Sequence, residues 1–379
     1  MTGRLARGEG AGLQPARPSP GAQLSAPQPR ILAVGRALPP HYADQETLTA
    51  ALTAGWSRQH FNAERLAQIH RAALVGGRHL ALPLAEYAAL GGFGQRNDAF
   101  IRVGLEVGEQ ALRDGLARAG LTPGDVDHLY VVTVTGLATP SLDARLVNRL
   151  SLKPSVKRTP IFGLGCLGGA AGLARASDAL RAFPGEVAVL LSVELCSLTL
   201  QPEDLSIPNV VATGLFGDGA AAVVLGGGAR PSPSTAPRIV ATRSVFYPGT
   251  EWVMGWDVID TGFKVVLSAK VPEVIEARIG GDVDGFLADH GLDRGRIRHW
   301  VAHTGGPRVI EAFRSALGLP AEALERTYRS LREVGNLSSA SVLFVLGDHL
   351  EAGEARPGDF GLVAAMGPGF AAELLLLAW

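Results

Sequence analysis

The sequence predicts an α/β protein built of layered strands and helices, and three observations support this. Apolar, β-branched segments of strand length alternate with amphipathic helical segments along the 379 residues. Hydrophobic residues make up 47% of the chain and 48 residues are Gly, as in a globular protein with many tight turns. The same order of strand, turn and helix recurs after a Pro/Ser/Ala-rich linker near residues 229–237, which favours two pseudo-repeated halves, 29–228 and 238–379.

The elements of the first half follow from periodicity and from stop signals. The longest predicted helix, Phe100–Ala119, ends at Gly120 with Pro123 just beyond, the usual end of a helix. The segment His128–Thr135 is continuously apolar, as a buried strand should be. In order, this half is predicted to contain strand 30–35, helices 46–53, 63–74 and 100–119, strands 128–135 and 160–163, a helix after Cys166, and strands 186–193 and 220–225.

The second half repeats this alternation. It is predicted to contain helix 271–290, strand 300–303, helices 308–317 and 336–349, and strands 360–365 and 371–379 around a Gly-Pro-Gly turn. A two-fold internal repeat agrees with this order, although a single sequence does not prove it.

Composition excludes several classes of function. The formal net charge is -1 and only 6% of residues are aromatic, which argues against a nucleic-acid partner. The two cysteines are too few for a disulfide framework, and no Cys/His cluster has metal-ligand spacing. No apolar run reaches the length of a membrane span. These features predict a cytoplasmic protein without a metal.

The first residues, 1–28, are rich in Pro, Gly, Ala and Arg and lack the apolar core of a secretory signal. We interpret them as a disordered extension, because this composition buries little apolar surface. A transit peptide is the alternative, which the scattered prolines and Glu9 disfavour.

Cys166 is the strongest candidate for a nucleophile. The segment FGLGC ends a predicted strand and LGGAAGLARA begins a helix, so the thiol lies at the positive end of a helix dipole, which favours the thiolate. The surrounding glycines allow a thioester to approach closely. A buried structural cysteine is the alternative.

Two further residues have suitable chemistry. His303 ends the strand WVAH and precedes TGGPR, which is a suitable position for a base or for a donor to a carbonyl oxygen. Asn336, in EVGNLSSAS, is predicted to be a helix N-cap. Near a thiolate and an imidazole, its amide would also stabilise an enolate or oxyanion.

Five segments together resemble the motifs of type III polyketide synthases, the chalcone and stilbene synthase-like enzymes. They are GLGCLGGAAGLARASDAL, LFGDGAAAVVLG, WVAHTGGPRVIEAF, EVGNLSSASVLFVL and AMGPGFAAELLLL, and they occur in the order of that family over residues 30–379. The resemblance implies a thiolase-like fold with layers α/β/α/β/α, a homodimer, and a catalytic triad of Cys166, His303 and Asn336.

The resemblance also implies the reaction and its substrates. An acyl-CoA starter is loaded on Cys166, and His303 and Asn336 stabilise the enolate that forms when malonyl-CoA loses CO2. Repeated condensation builds a poly-β-keto chain that cyclises. Both substrates are CoA thioesters, and no further cofactor is implied.

The substrate cavity is where this chain departs from plant members of the family. Phe216 matches a gatekeeper phenylalanine, whereas Val265 stands where plant chalcone synthases have another one. Thr139 replaces a cavity methionine and Cys196 replaces a threonine, a pattern that resembles bacterial synthases of alkylpyrones, alkylresorcinols or naphthalene polyols. Two residues of the AMGPGF turn are assigned to the same cavity, namely Met366 and Gly367.

A local basic cluster is expected where the phosphates of CoA bind, because the net charge of the whole chain is close to zero. Arg308 follows the turn after His303, and Arg65 and Arg71 lie on an early helix, so these three are the candidates.

Small cavity residues predict a fatty acyl-CoA starter with an alkylpyrone or alkylresorcinol product. Chalcone synthase or tetrahydroxynaphthalene synthase activity is an alternative. Another is a β-ketoacyl carrier-protein synthase III, and a third is a silent thiolase-like subunit that only binds acyl chains. The intact triad disfavours the silent subunit.

Overall fold

The computed structural model describes residues 27–56 and 62–379. The predicted disordered extension, residues 1–28, lies outside the described residues except for Pro27 and Gln28. Gln28 is only 7% exposed, so the packed body already includes it.

The described residues form thirteen strands and ten helices. The strands are β1 Arg30–Ala37, β2 His41–Asp44, β3 Gly77–Leu80, β4 His128–Thr133, β5 Lys157–Phe162, β6 Val187–Leu195, β7 Asp218–Gly226, β8 Arg238–Phe246, β9 Met254–Ile259, β10 Gly262–Leu267, β11 Ile297–Ala302, β12 Phe360–Gly367 and β13 Ala371–Ala378. The helices are α1 Gln45–Gly55, α2 Ala63–Ala72, α3 Phe93–Arg118, α4 Leu142–Leu150, α5 Gly168–Ala182, α6 Ile207–Leu215, α7 Val271–Ala288, α8 Pro307–Leu317, α9 Glu325–Val334 and α10 Ser341–Ala352. None of these helices is both long and apolar enough to cross a lipid bilayer.

Nine strands form one sheet in the order β11-β12-β13-β8-β1-β7-β6-β4-β5. From the centre outward, β1-β7-β6-β4 has two antiparallel pairs followed by a parallel pair, and β8-β13-β12-β11 has the same sequence of orientations. The two sets meet where β1 pairs with β8. The sheet therefore contains the predicted internal repeat, and β5 has no counterpart in the second half.

The layers arise because both faces of the sheet are covered. In β6, Val189 and Leu191 pack on one side with α3 and α4, whereas Ala188 and Leu190 pack on the other with α5 and α10. Helices α7 and α8 cover the outer face of the second half. Helices α5 and α10 thus form a central layer between two curved parts of the sheet, and the predicted layered α/β fold is confirmed.

Several elements differ from the prediction. Strands β8, β9 and β10 are absent from it. The buried residues of β8 are confined to 239–241, and Thr242, Arg243 and Ser244 follow, so its sequence lacks a long apolar run. Helix α3 begins at Phe93 instead of Phe100, and the ring of Phe93 lies 5.2 Å from that of Phe263. This long-range contact stabilises a first turn that local sequence does not favour.

Candidate active site

The nucleophile candidate lies in a tight turn between two regular elements. Cys166 belongs to the 3-10 turn Gly165–Leu167, which connects β5 to α5. Gly165 has φ of +50°, and a Cβ atom there would lie 2.6 Å from Cδ of Pro368. A Cβ atom on Gly367 would lie 2.6 Å from the backbone N of Leu167. Only glycines let these two turns touch, so the position of Cys166 is fixed by the Gly-Pro-Gly turn.

The Cys166 thiol is buried among polar neighbours. Its Sγ lies 3.7 Å from Oγ of Ser338. Burial raises the pKa of the thiol to about 12, and its hydrogen bonds with Ser338 and Asn336 oppose this only in part. Before substrate binds, Cys166 is therefore a neutral thiol and not the thiolate predicted from the helix terminus. Loss of hydration raises its pKa more than the helix dipole lowers it.

His303 follows β11 directly and is 6% exposed. Its backbone N–H donates to the carbonyl of Ala364 at 3.0 Å, which fixes the residue beside β12. Burial lowers the pKa of its imidazole to about 4, so the ring is neutral at physiological pH. No described residue makes a hydrogen bond with its Nδ1 atom. A neutral imidazole is able to accept the proton of a thiol.

Asn336 is not a helix N-cap, which corrects the prediction. The helix α10 begins at Ser341, and a 3-10 turn precedes it. Oδ1 of Asn336 accepts hydrogen bonds from the backbone N of Ser338 at 2.8 Å and from Oγ of Ser341 at 3.2 Å. These bonds occupy the oxygen, so the amide nitrogen is the group left to donate to a substrate or to Cys166.

The backbone connects Asn336 to the predicted gatekeeper. Its N–H donates to the carbonyl of Leu215 at 2.9 Å and its carbonyl accepts from Gly217 at 3.0 Å, so Phe216 pairs with it like a residue in a parallel sheet. Leu215 also lies 3.4 Å from the Cβ position of Gly306, in the turn after His303. All three predicted triad residues are therefore buried in one region of the protein.

The sequence did not single out Glu194, which is fully buried close to Cys166. It accepts hydrogen bonds from Ser339, from Oγ1 of Thr135 at 2.8 Å and from the backbone N of Val134 at 3.1 Å. Burial raises its pKa to about 7. The available signal was a carboxylate within the otherwise apolar strand VAVLLSVEL. Ser338, the partner of Cys166, was likewise not singled out.

A cavity of about 480 Å³ lies beside Phe216. Phe216, Val265 and Cys196 line it, as the resemblance implies. Other lining residues come from α1 and from the segment 196–203. Its polar lining residues include Arg78, Tyr87 and Ser197, none of which was predicted from the sequence.

The other three predicted cavity residues do not line this cavity of the single chain. Thr139 is exposed and lines a separate pocket with Phe162, because two hydrogen bonds between Asn97 and Leu137 hold its loop against α3. Met366 is 6% exposed and packs in the core formed with α7 and α8. Gly367 contacts the turn that carries Cys166.

The three candidate CoA-binding arginines are exposed. Arg308 lies in the first turn of α8, and Arg65 and Arg71 lie in α2. None of the three forms an ion pair with an acidic residue of the described chain. Their charges are therefore available to phosphate groups.

Comparison with known proteins agrees with this geometry. The family profile "Chalcone and stilbene synthases, N-terminal domain" matches residues 18–229, and the corresponding C-terminal domain profile matches residues 238–378. The chain belongs to the chalcone and stilbene synthase family. As a member of this family it is a type III polyketide synthase, an acyltransferase that condenses malonyl-CoA units with loss of CO2. Membership of this family excludes two alternatives from the sequence analysis, a silent acyl-binding subunit and a carrier-protein synthase III.

Relatives of this synthase occur in bacteria and algae. It is 50% identical over 350 residues to 1,3,6,8-tetrahydroxynaphthalene synthase of Streptomyces peucetius subsp. caesius, covering 92% of this chain and 93% of that protein. It is 39% identical to a putative chalcone synthase of Bacillus subtilis, covering 92% and 98%. The crystal structure of PKS-I from the brown alga Ectocarpus siliculosus superposes with a TM-score of 0.87 at 29% identity, covering 93% of this chain and 99% of that one.

Proposed function

We propose that this type III polyketide synthase uses malonyl-CoA both as starter and as extender, and that it releases an aromatic product of the tetrahydroxynaphthalene type. The observation that carries the proposal is the 50% identity to a tetrahydroxynaphthalene synthase over 93% of that enzyme. Five malonyl units supply the ten carbons of a naphthalene skeleton when each loses one CO2.

Loading begins at Cys166. The thiol gives its proton to the neutral imidazole of His303 as Sγ attacks the carbonyl carbon of a CoA thioester. The tetrahedral intermediate then expels the thiolate of CoA, which takes a proton, and the acyl group remains on sulfur. Because the proton leaves as Sγ attacks, no free thiolate has to form, which matters since burial raises the pKa of the thiol to about 12.

Extension uses the amide of Asn336. A second malonyl-CoA loses CO2, and the electron pair of the broken bond forms an enolate on its thioester oxygen. The N–H groups of Asn336 and His303 stabilise this oxygen without burying a further charge. The enolate carbon attacks the acyl carbon on Sγ and expels the Cys166 thiolate. This thiolate then attacks the CoA thioester of the extended chain and expels the thiolate of CoA, which takes a proton, so the chain returns to Cys166 for the next round.

The alkylpyrone or alkylresorcinol product predicted from the sequence is the second candidate. Val265 and Cys196 favour it, since both line the cavity with small side chains. Thr139 does not line the cavity of its own chain and instead lines the surface pocket with Leu137 and Phe162. Nη1 of Arg78 has no acceptor among the described residues although Arg78 lines the cavity. A chain rich in keto groups supplies an acceptor, whereas an alkyl chain would leave this donor without a partner.

Product analysis separates the two candidates. The enzyme is incubated with malonyl-CoA alone and then with added hexanoyl-, lauroyl- or p-coumaroyl-CoA, and the products are identified by mass spectrometry. We expect one aromatic product from malonyl-CoA alone, with little change when the other starters are added. No product without an added acyl-CoA, and efficient alkylpyrone formation with lauroyl-CoA, would contradict the proposal.

We further propose a cytoplasmic homodimer that needs no cofactor other than its CoA thioester substrates. The exposed side chains of Leu137 and Phe162, which line one surface pocket, support a subunit contact there. Light scattering coupled to gel filtration measures the mass in solution. A monomer for the wild type, or a dimer unaffected by Phe162→Glu, would contradict this arrangement.

A further inference from the structure

Arg78 is the most unusual polar residue of the cavity. It is only 2% exposed although it contributes to the cavity lining. Its Nη2 donates to the backbone carbonyl of Thr213, whereas no described residue accepts a hydrogen bond from Nη1. A buried guanidinium donor without an acceptor is energetically costly, so a bound molecule is expected to supply the acceptor.

The charge around Arg78 indicates which kind of acceptor fits. Burial lowers the pKa of Arg78 to about 10, and the nearby Asp218 carboxylate opposes this change. The oxygens of Asp218 are already used, since they accept from the backbone N of Ser197 at 2.8 Å, from the backbone N of Ala81 at 2.6 Å and from Oγ of Ser197. His70 also lies near Arg78, and it is neutral because burial lowers its pKa to about 4.

The positive charge of Arg78 is therefore balanced by Asp218, yet one of its donor groups is unused. An additional carboxylate would be repelled by Asp218, and an alkyl chain would leave Nη1 without a partner. A neutral carbonyl oxygen meets neither obstacle. Tyr87 and Ser197 line the same cavity, but their hydroxyl protons are already used, because the two hydroxyl groups share a hydrogen bond of 2.5 Å and Ser197 donates to Asp218.

We propose that Arg78 is a specificity-determining residue that binds a β-keto oxygen of the growing chain through Nη1. This inference rests on the proposed function, because it assumes that a malonyl-derived poly-β-keto chain occupies the cavity. Holding one keto oxygen orders the chain during extension and delays premature release as a short lactone.

Two thioesters of equal chain length test the proposal directly. The N-acetylcysteamine thioesters of 3,5-dioxohexanoic acid and hexanoic acid differ in their keto groups, and calorimetry measures their binding to the full chain carrying Cys166→Ala. We expect tighter binding of the diketo compound, and we expect Arg78→Gln to reduce this preference about tenfold to hundredfold, as for loss of a hydrogen bond to a charged group. Binding of the hexanoyl compound should not change.

Controls make the result specific. Arg102→Gln changes an exposed arginine of α3 that does not line the cavity, and it should leave the preference intact. Arg78→Lys keeps the charge but loses the planar donor group, so it serves as the second variant if Arg78→Gln does not fold; melting temperatures check this. A glutaryl thioester probes an anion site, and tighter binding of glutaryl than of the diketo compound would overturn the proposal.

In the active enzyme, Arg78→Lys should raise the share of triketide lactone among the products from malonyl-CoA. A diketo preference that is the same with and without Arg78 refutes this inference alone. Failure of the wild type to convert malonyl-CoA by itself refutes the proposed function instead, so the two failures are distinguishable.

Discussion

Gly367→Ala is expected to slow acyl loading on Cys166 strongly although it removes no polar group. The new Cβ atom would lie 2.6 Å from the backbone N of Leu167 and 2.8 Å from the carbonyl oxygen of Leu164. Ordinary contacts of a Cβ atom begin at 3.4 Å, so the shortfall is about 0.8 Å (3.4 less 2.6). Both atoms belong to the backbone around the nucleophile, so the turn must shift as a unit.

A shift of this size has a predictable cost. Displacement of a reacting group by about 1 Å costs on the order of a hundredfold in rate. Overpacking of a well-packed site destabilises the fold by about 1–3 kcal/mol. We therefore expect acylation of Cys166 to slow by about a hundredfold while the protein remains folded.

The rate of acylation is measured by mass spectrometry of the intact protein after rapid mixing with an acyl-CoA, and stability is measured by urea unfolding. Gly281→Ala is the matched control, because this glycine lies in α7 with no atom within 4 Å of its Cβ position. It should leave acylation unchanged and stabilise the helix by about 1 kcal/mol. Acylation of Gly367→Ala at the wild-type rate would refute the reasoning.

Three further predictions concern single side chains. Cys166→Ala should remove the covalent acyl adduct seen by mass spectrometry, and an adduct that persists would reject Cys166 as nucleophile. His303→Gln should slow alkylation of Cys166 by iodoacetamide at pH 7 and shift its pH profile upward; an unchanged profile would show that His303 does not accept the proton. Burial raises the pKa of Glu194 from 4.5 to about 7, so the folded state favours its protonated form. Its stabilising contribution is present below pH 4.5 and is lost as the pH rises to 7. The free energy of unfolding of Glu194→Gln, measured with urea, should therefore rise relative to wild type by up to about 3 kcal/mol over that range. A difference that does not change with pH would contradict this.

The sequence was sufficient to predict the residues that lie at the ends of strands. Cys166 and His303 each follow a strand in the chain and lie next to a Gly-rich turn that leads into a helix, and this local pattern is what places them. The order of elements also predicted the repeat, which appears in the orientations of β1-β7-β6-β4 and β8-β13-β12-β11.

Contacts between distant segments could not be predicted in this way. Thr139 lies at the surface of the single chain, because hydrogen bonds between Asn97 and Leu137, forty residues apart in the sequence, hold its loop against α3. The buried position of Arg78 depends on Thr213 and Asp218, which lie far along the chain. Asn336 was predicted as an N-cap because a 3-10 turn before α10 has no clear signature in the sequence.

The pairing of Phe216 with Asn336 has a consequence for how enzymes of this kind diversify. The pairing uses only main-chain atoms of residues 215–217 and 336, so any side chain at position 216 keeps the same register. The shape of the cavity and the position of the catalytic amide can therefore change independently at this point. A substitution of Phe216 changes the shape of the cavity. An insertion or deletion between Leu215 and Gly217 would instead move the amide of Asn336. Laboratory evolution of product range should accept substitutions at 216 and reject changes in loop length there.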